Sequence, residues 1–444
     1  MKTLILNAFV VNEGKIQQLD ILIENGRIAQ IGHGISTKGV NQVIDAEGLH
    51  LAPGITDTQV HFRDWDQAYK ATIQSESIAA IMGGVTSVIE QPNTSPQVTT
   101  IHLLHERNRL NSRTNFCNYG VNFGATLTNY DQVMKVNPAL TPGIKVFWGS
   151  STGGMLVNNE EVVAKMGKNY PGIFIFHSED EATIKQNLEK LQQSGVQLFA
   201  NHHPVIRSAE ACETSTKLIL DIANETGMRT HIYHITTANE IGYFCNNIPV
   251  SEKQVTAEVC VHHLHFTAKD YAKHGNFLKC NPAIKDEFHK NALWEGLLDD
   301  RFDVIATDHA PHSVQEKFKS YLEAPSGVPF VQHGFQLMLD YVKQGRISLE
   351  TVIQKMCHSP ADCFRIENRG YIREGYWADL VLFDLLDTSK VEKNNIAYKC
   401  GHSPLLGRKF QSAITHTFVN GVLLYEYGTF IGKKLGMHMT YVTK

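Results

Sequence analysis

The eight cysteines of this chain (117, 212, 245, 260, 280, 357, 363 and 400) are scattered, and no two form a C-x-x-C pair. That spacing excludes a zinc ribbon or a thioredoxin-type motif, and it predicts free, mostly buried thiols in a reducing cytoplasm. No run of about 18 apolar residues occurs, so no membrane-spanning helix is expected. The apolar opening, residues 1–11, is interrupted by Asn7 and followed by the turn residues Asn12-Glu13-Gly14 where a signal sequence would carry its cleavage site. It reads as a first strand. Positive charge is not in excess: 41 Lys and Arg against 45 Asp and Glu give a net charge of −4. This argues against a nucleic-acid backbone or an anionic membrane as partner and leaves a small molecule. The glycine-rich stretch Ser150-Ser151-Thr152-Gly153-Gly154 lacks the closing Gly-Lys-Ser/Thr of a P-loop, so phosphate binding there has no motif behind it. Internal repeats and low-complexity tracts are also absent.

What is present is a chain of 444 residues, 42% of them hydrophobic, enough for a sizeable core and for about two or three domains. Histidine stands out at 22 copies, so clusters arise by chance and each must be judged by its place in the fold. Residues 1–52 show short strands at 4–11, 20–24, 27–31 and 42–45, with Asn25-Gly26 as a two-residue hairpin turn. From residue 53 strand-like and helical patterns alternate. Strands are expected at 55–62, 86–91, 118–124, 144–148, 173–177, 230–234, 255–259 and 304–308, with helices such as 71–82, 100–110 and 209–226 between them. Eight alternations predict an α/β fold, a (β/α)8 TIM-like barrel over 53–365. After 366 strands and turns return, at 370–384 and 413–424. The two chain ends, 1–52 and 366–444, are expected to join into one small β-sandwich domain. The polar stretch 387–407 is left unassigned.

In such a barrel, chemistry belongs at the C-terminal ends of the strands. The stretch Pro53-Gly54-Ile55-Thr56-Asp57-Thr58-Gln59-Val60-His61-Phe62-Arg63 places Asp57, Gln59, His61 and Arg63 on one face, if side chains alternate strictly. A row of polar groups in a buried strand is costly unless something satisfies it. Further strand ends supply His177, then His231 and His234, then Asp308. Imidazoles and a carboxylate converging from several strand ends fit a divalent metal, against the plainer reading of a wet edge strand.

Lys145 lies inside the apolar run Ile144-Lys145-Val146-Phe147-Trp148. Two readings stand: an ammonium reaching the barrel rim, or a neutral amine that takes up carbon dioxide as a metal-bridging carbamate. His202-His203 precedes Pro204 and reads as a surface loop. In His262-His263-Leu264-His265, His263 and His265 share a face; metal binding is weighed there, with hydrogen bonding behind the site or packing preferred. Cys260, Cys280 and the serines near 150 have no adjacent base in any nucleophile motif.

With these residues in hand, the chain resembles the amidohydrolase superfamily of cyclic-amide hydrolases and, within it, the dihydroorotases. The resemblance runs along essentially the whole chain. It rests on Pro53-Gly54-Ile55-Thr56-Asp57 leading to His61-Phe62-Arg63, Gly83-Gly84-Val85-Thr86, Pro92-Asn93-Thr94, Lys145, His177, His234, Asn281-Pro282, Thr307-Asp308-His309-Ala310-Pro311-His312, and Gly375 with Ala378-Asp379-Leu380-Val381. It implies a zinc-dependent, cytoplasmic enzyme of pyrimidine (UMP) biosynthesis that reversibly hydrolyses the cyclic amide of dihydroorotate to N-carbamoyl-L-aspartate. It further implies one or two Zn2+ ions. His61, a carbamate on Lys145 and Asp308 would hold one; the same carbamate with His177 and His234 would hold the other. Asp308 would accept the attacking water's proton and pass it to the departing ring nitrogen. Arg63, Asn93 and His312 would grip the substrate carboxylate, while Asn281 and the backbone from Ala324 to Gly327 would contact the ring. A homodimer is implied as well.

Two departures from the family pattern follow. The family's first strand usually carries His-x-His, and here Gln59 occupies the first position, a poorer zinc ligand than imidazole. Asp64-Trp65 follows Arg63 where Pro-Gly is common. The first departure keeps a different class of function open: a catalytically silent relative that partners aspartate transcarbamoylase. A hydantoinase- or allantoinase-type hydrolase is a third reading, opposed by Arg63 with Asn93, which would suit a substrate carboxylate.

Overall fold

The computed structural model describes residues 2–149, 155–434 and 436–443. The glycine-rich stretch 150–154, with its phosphate reading, lies outside the described residues.

Both chain ends build one nine-stranded sheet. Its order is Thr429–Phe430, Val422–Glu426, Ala413–Val419, Leu380–Asp384, His50–Pro53, Lys2–Asn12, Lys15–Glu24 and Arg27–Gly32, with Gln42–Asp45 also paired to Lys2–Asn12. The seam between the ends is antiparallel, with Leu51 opposite Leu382 and Ala52 opposite Val381. Asn25 and Gly26 make the expected tight turn, with φ of 52° and 85°. Ile5, Ile21, Ile23 and Leu51 from the start pack with Leu380, Leu382 and Phe418 from the end in a single core. Neither end could bury that apolar surface alone, which is why the domain is composite.

One residue past the seam, at Ile55, the barrel begins. Its strands are Ile55–Val60, Val85–Glu90, Asn118–Val121 continued by Phe123–Gly124, Ile144–Trp148, Ile173–Ser178, Arg229–Ile232, Val255–Cys260 and Val304–Ala306. All pair in parallel with their neighbours. The circle closes where Val60 bridges His309 and the His61 amide donates to the His309 carbonyl at 2.7 Å. Strands such as Ile144–Trp148 are buried throughout, as parallel strands covered on both faces must be. The fold is therefore the expected (β/α)8 barrel with a small β-sandwich domain made from both chain ends.

Helix boundaries follow local chemistry. Ala209–Thr226 opens on Ser208, whose side chain accepts from the Ala211 amide, and stops at Gly227 in the left-handed region, with φ of 71°. Ile101–Thr114 is capped by Thr100 in the same way. The alternation is less regular than the sequence suggests. After the sixth strand come only the single turns Ile241–Tyr243 and Val250–Glu252, and after the third a one-turn helix, Tyr130–Val133. The C-terminal tail also leaves the β domain. Met439 donates from its amide to the Tyr119 carbonyl, Tyr441 does so to Ala139, and both side chains join a barrel core cluster.

Strict alternation along the first barrel strand does not hold. Its register against the second strand shifts between Asp57 and Val60. Thr58 consequently reaches Glu258 on the seventh strand, and Asp57 is held by Thr307 on the eighth. Arg63 lies beyond the strand, in a segment where Arg63, Asp64 and Trp65 all have φ between 48° and 64°.

Candidate active site

Strand ends and loops bring Gln59, His61, Arg63, Asn93, Lys145, His177, His234, Asn281, Asp308 and Gly327 around one cavity. Lys145 comes from the fourth strand and His177 from the fifth, while His61, His234 and Asp308 lie just past the first, sixth and eighth. His234 and Asp308 have φ of 42° and 45°. Non-glycine residues in that region carry strain of roughly 1–3 kcal/mol each, held here by the surrounding barrel.

Lys145 is 1% exposed, which excludes the rim reading. Among the described residues its Nζ has no hydrogen-bond partner, and it sits 4.1 Å from the centre of the Tyr233 ring. Burial draws its pKa down to about 7, against the opposing pull of Asp308 and Glu258. A large fraction of this side chain is therefore free amine at neutral pH, the form that reacts with carbon dioxide.

The imidazoles are oriented by their outer nitrogens. Nε2 of His177 lies 2.9 Å from Glu179, which also pairs with Arg207. Burial pushes the Glu179 carboxyl up, but Arg207 and His177 outweigh it and hold it at about 2. A carboxylate there fixes the proton on Nε2 and leaves the lone pair of His177 Nδ1 facing His234 Nε2 at 3.0 Å. Nδ1 of His61 faces the side-chain oxygen Oδ1 of Asn93 at 2.8 Å, so its proton belongs there. The lone pair on Nε2 then confronts the Asp308 carboxylate at 3.1 Å. Two acceptors that close repel each other, while burial opposes protonating His61. A cation between them resolves the conflict. With the orphaned amine of Lys145, these are the features a metal centre built from His61, Lys145, His177, His234 and Asp308 would leave in a bare protein.

Gln59 is buried in the cavity wall, its Oε1 4.0 Å from Cys260 Sγ. Arg63 is 2% exposed, with Nε donating to the Pro311 carbonyl at 3.3 Å. Burial lowers its pKa to about 10, and it remains charged at neutral pH. His312 stands behind it, 3.2 Å from Nη2. Lys70 occupies its Nδ1 at 3.1 Å, and its Nε2 proton points at the Ser326 carbonyl at 3.0 Å. The ring is thus enclosed and supports the Arg63 pocket from behind. Ser326 and Gly327 line the cavity, and Ala324 does not; its carbonyl accepts from Lys279. Gly327 has φ of 144°, and a Cβ there would lie 2.4 Å from the Ala310 carbonyl, so this wall needs glycine.

Sequence reading missed three supports. His203 is buried, not on a surface loop: Nδ1 meets the Tyr321 hydroxyl at 2.7 Å, and Nε2 meets the Cys280 carbonyl and Asn281 Oδ1. Its partners lie more than 70 residues away, beyond any local pattern. Arg107 is fully buried against Glu90 and donates to the Arg63 carbonyl at 2.7 Å. Glu179 sits two residues past His177, the one clue within reach of the sequence. Behind the site, His263 and His265 do form hydrogen bonds, to the Pro282 carbonyl and the Tyr341 hydroxyl. Cys280 has His263 Nε2 at 3.9 Å, yet burial raises its thiol to about 12, far from nucleophilic.

The sequence profile of the Amidohydrolase family matches residues 50–424. The chain belongs to that family. It is 31% identical to a dihydroorotase of Methanosarcina acetivorans over 415 residues, covering 91% of this chain and 88% of that protein. A Pyrococcus abyssi dihydroorotase is 30% identical over 438 residues, covering 98% of both. Among solved structures, the L-hydantoinase (dihydropyrimidinase) of Arthrobacter aurescens superposes with a TM-score of 0.93 at 23% identity, over 99% of each chain. A D-hydantoinase from Thermus sp. gives 0.87 at 20%, over 97% of each. At such identities the superpositions speak for the fold. Family and relatives together make this a metal-dependent cyclic amidohydrolase acting on a small molecule. Among the described residues no helix is long and apolar enough to cross a membrane.

Proposed function

We propose that the protein is a zinc-dependent dihydroorotase, interconverting dihydroorotate and N-carbamoyl-L-aspartate in the cytoplasmic synthesis of pyrimidines. The observation that carries this reading is Arg63: a buried guanidinium opening on the same cavity as His61, Lys145, His177, His234 and Asp308. A fixed cation beside a hydrolytic centre fits a ring that bears a carboxylate, and the 30–31% relatives share that name.

The barrel, taken as residues 53–365, carries the site; 1–52 and 366–444 supply the β domain, apart from the tail around Met439 and Tyr441, which packs on the barrel. His61, Lys145 as its carbamate, and Asp308 would hold one zinc, and the carbamate with His177 and His234 the other. Zinc held there would supply the Lewis acidity for polarising the scissile carbonyl and for lowering the pKa of water toward neutral pH. Lys145 forms the carbamate by attack of its neutral Nζ on carbon dioxide, releasing one proton. Asp308 takes the proton of the attacking water and delivers it to the ring nitrogen as the C–N bond breaks. Arg63 and Asn93 hold the substrate carboxylate, with His312 bracing Arg63. Asn281, positioned by His203, and the Gly327 backbone contact the ring. Gln59 makes the ion shared with His61 the weaker of the two. We further propose a cytoplasmic homodimer, with aspartate transcarbamoylase as a candidate partner; eight unpaired cysteines, all but Cys245 buried, fit a reducing compartment.

Substrate discrimination tests the reading. Dihydroorotate should be turned over far better than a 5-substituted hydantoin lacking the carboxylate, and Arg63→Met should erase the difference by losing roughly 10- to 100-fold in kcat/KM on dihydroorotate alone. Equal or better hydantoin turnover would instead assign a hydantoinase. No turnover of either would favour the silent-partner role that Gln59 first suggested.

A further inference from the structure

The seventh strand ends at Cys260, and the five-residue helix Val261–His265 starts at the next residue. This abrupt junction stacks Cys260, His262 and His263 together. One donor atom from each lies within 4.8 Å of the others, the only such group of three among the described residues. All three side chains are buried.

Their hydrogen bonding is incomplete in a directed way. His263 Nε2 donates to the Pro282 carbonyl at 3.1 Å, which leaves the lone pair on Nδ1, and Nδ1 has no partner among the described residues. His262 is 1% exposed; the Thr307 backbone is a polar neighbour, and neither ring nitrogen makes a well-formed hydrogen bond among the described residues. A buried, unsatisfied polar group costs about 1–3 kcal/mol, so this arrangement asks for a ligand. Burial holds His262 down to about 4, so the ring is neutral and its lone pair available. Among the described residues the Cys260 thiol makes one long hydrogen-bond contact, to Gln59 Oε1 at 4.0 Å. Gln59 lines the active cavity, so the cluster lies directly behind that wall.

We propose that Cys260, His262 and His263 bind a borderline-soft divalent metal of the zinc class, at a site behind Gln59 and separate from the Lys145 centre. One thiolate and two imidazoles are a donor set zinc favours over harder cations. Burial and the nearby Glu258, Asp308 and Asp57 carboxylates push the Cys260 thiol well above its ordinary value, so the bare protein keeps it protonated. The metal displaces that proton to solvent as the sulfur bonds it, and one proton is released per ion. His263 binds through Nδ1 because the Pro282 carbonyl keeps the proton on Nε2. The site stands whether or not the protein hydrolyses dihydroorotate.

Sulfur makes the test specific, because the Lys145 centre offers only nitrogen and oxygen donors. Metal-free full-length protein is titrated with Co2+ while the thiolate-to-cobalt charge-transfer band is followed in the near ultraviolet. The wild type and Lys145→Ala should both show the band, Cys260→Ser should lose it with one equivalent of bound metal, and Cys280→Ser should keep it. If Cys260→Ser proves unstable, His262→Phe serves: Co2+ affinity read at the band should weaken roughly tenfold or more. The assignment is overturned by no band in the wild type, a band that survives Cys260→Ser, one that vanishes with Cys280→Ser, or unchanged affinity in His262→Phe.

Discussion

Glu179 accepts a hydrogen bond from Nε2 of His177 at 2.9 Å while Arg207 pairs with the same carboxylate oxygen. That contact decides which nitrogen of His177 faces the cavity. Glu179→Gln removes the charge that pins the proton, so the ring can present the wrong tautomer. Zinc affinity or turnover should fall by about 10- to 100-fold, with thermal stability changed much less than that loss implies. A chelator competition alongside steady-state rates checks this; a variant with native zinc affinity and native rates would show that His177 needs no such anchor.

Gln59 fills a place where an imidazole would serve zinc better. Gln59→His should tighten the weaker zinc equivalent in a calorimetric titration of metal-free protein and leave the tighter one alone. Two unchanged equivalents would mean that residue 59 is not at the ion shared with His61.

Arg107 and Glu90 form a pair buried under the Arg63 loop, and Asn111 donates to the same carboxylate at 3.2 Å. Arg107→Met strands a buried carboxylate and should cost ~3–5 kcal/mol in urea unfolding. The double variant Arg107→Met with Glu90→Leu should recover most of that loss, since no charge is left unpaired. Both should raise KM, because the Arg63 carbonyl loses the donor that holds its strained backbone. A double variant no more stable than the single one would contradict the desolvation argument.

Glu316 links the Arg63 pocket to solvent through Tyr69, Ser313 and Lys70. Burial pushes its carboxyl up, yet these partners outweigh it and hold it at about 2, below the ordinary 4.5. A depressed carboxylate stabilises the fold fully above the unfolded value and loses that contribution as pH falls through the folded one. The window is therefore pH 4.5 down to 2. Glu316→Gln should be less stable than wild type at pH 6, and the gap should close across that window. A constant gap would put the stabilisation elsewhere.

Much of the barrel was legible because its strands are covered on both faces, so stretches such as 144–148 and 173–178 read as apolar runs interrupted only by Lys145 and by the terminal His177-Ser178. The strand-end rule then led to His61, His177, His234 and Asp308 without knowledge of contacts, and the cost of a cation inside an apolar run led to Lys145. What stayed hidden depends on distance along the chain. Arg107 reads as helix surface charge because Glu90 sits on another element. His203 reads as loop because Tyr321 and Asn281 are remote. The inward turn of Thr58 follows from a register shift that no period-two pattern encodes. The short helix after Cys260 likewise pairs His262 with His263 instead of His263 with His265, since side chains at a strand-to-helix junction obey neither period.

The most direct measurement is dihydroorotate hydrolysis by the purified protein supplied with zinc and bicarbonate, beside a chelated sample and Lys145→Ala. The account predicts turnover in the first that is lost on chelation, restored by zinc and abolished in Lys145→Ala. Metal-replete wild-type protein that leaves dihydroorotate untouched, or Lys145→Ala that still hydrolyses it, would contradict the account.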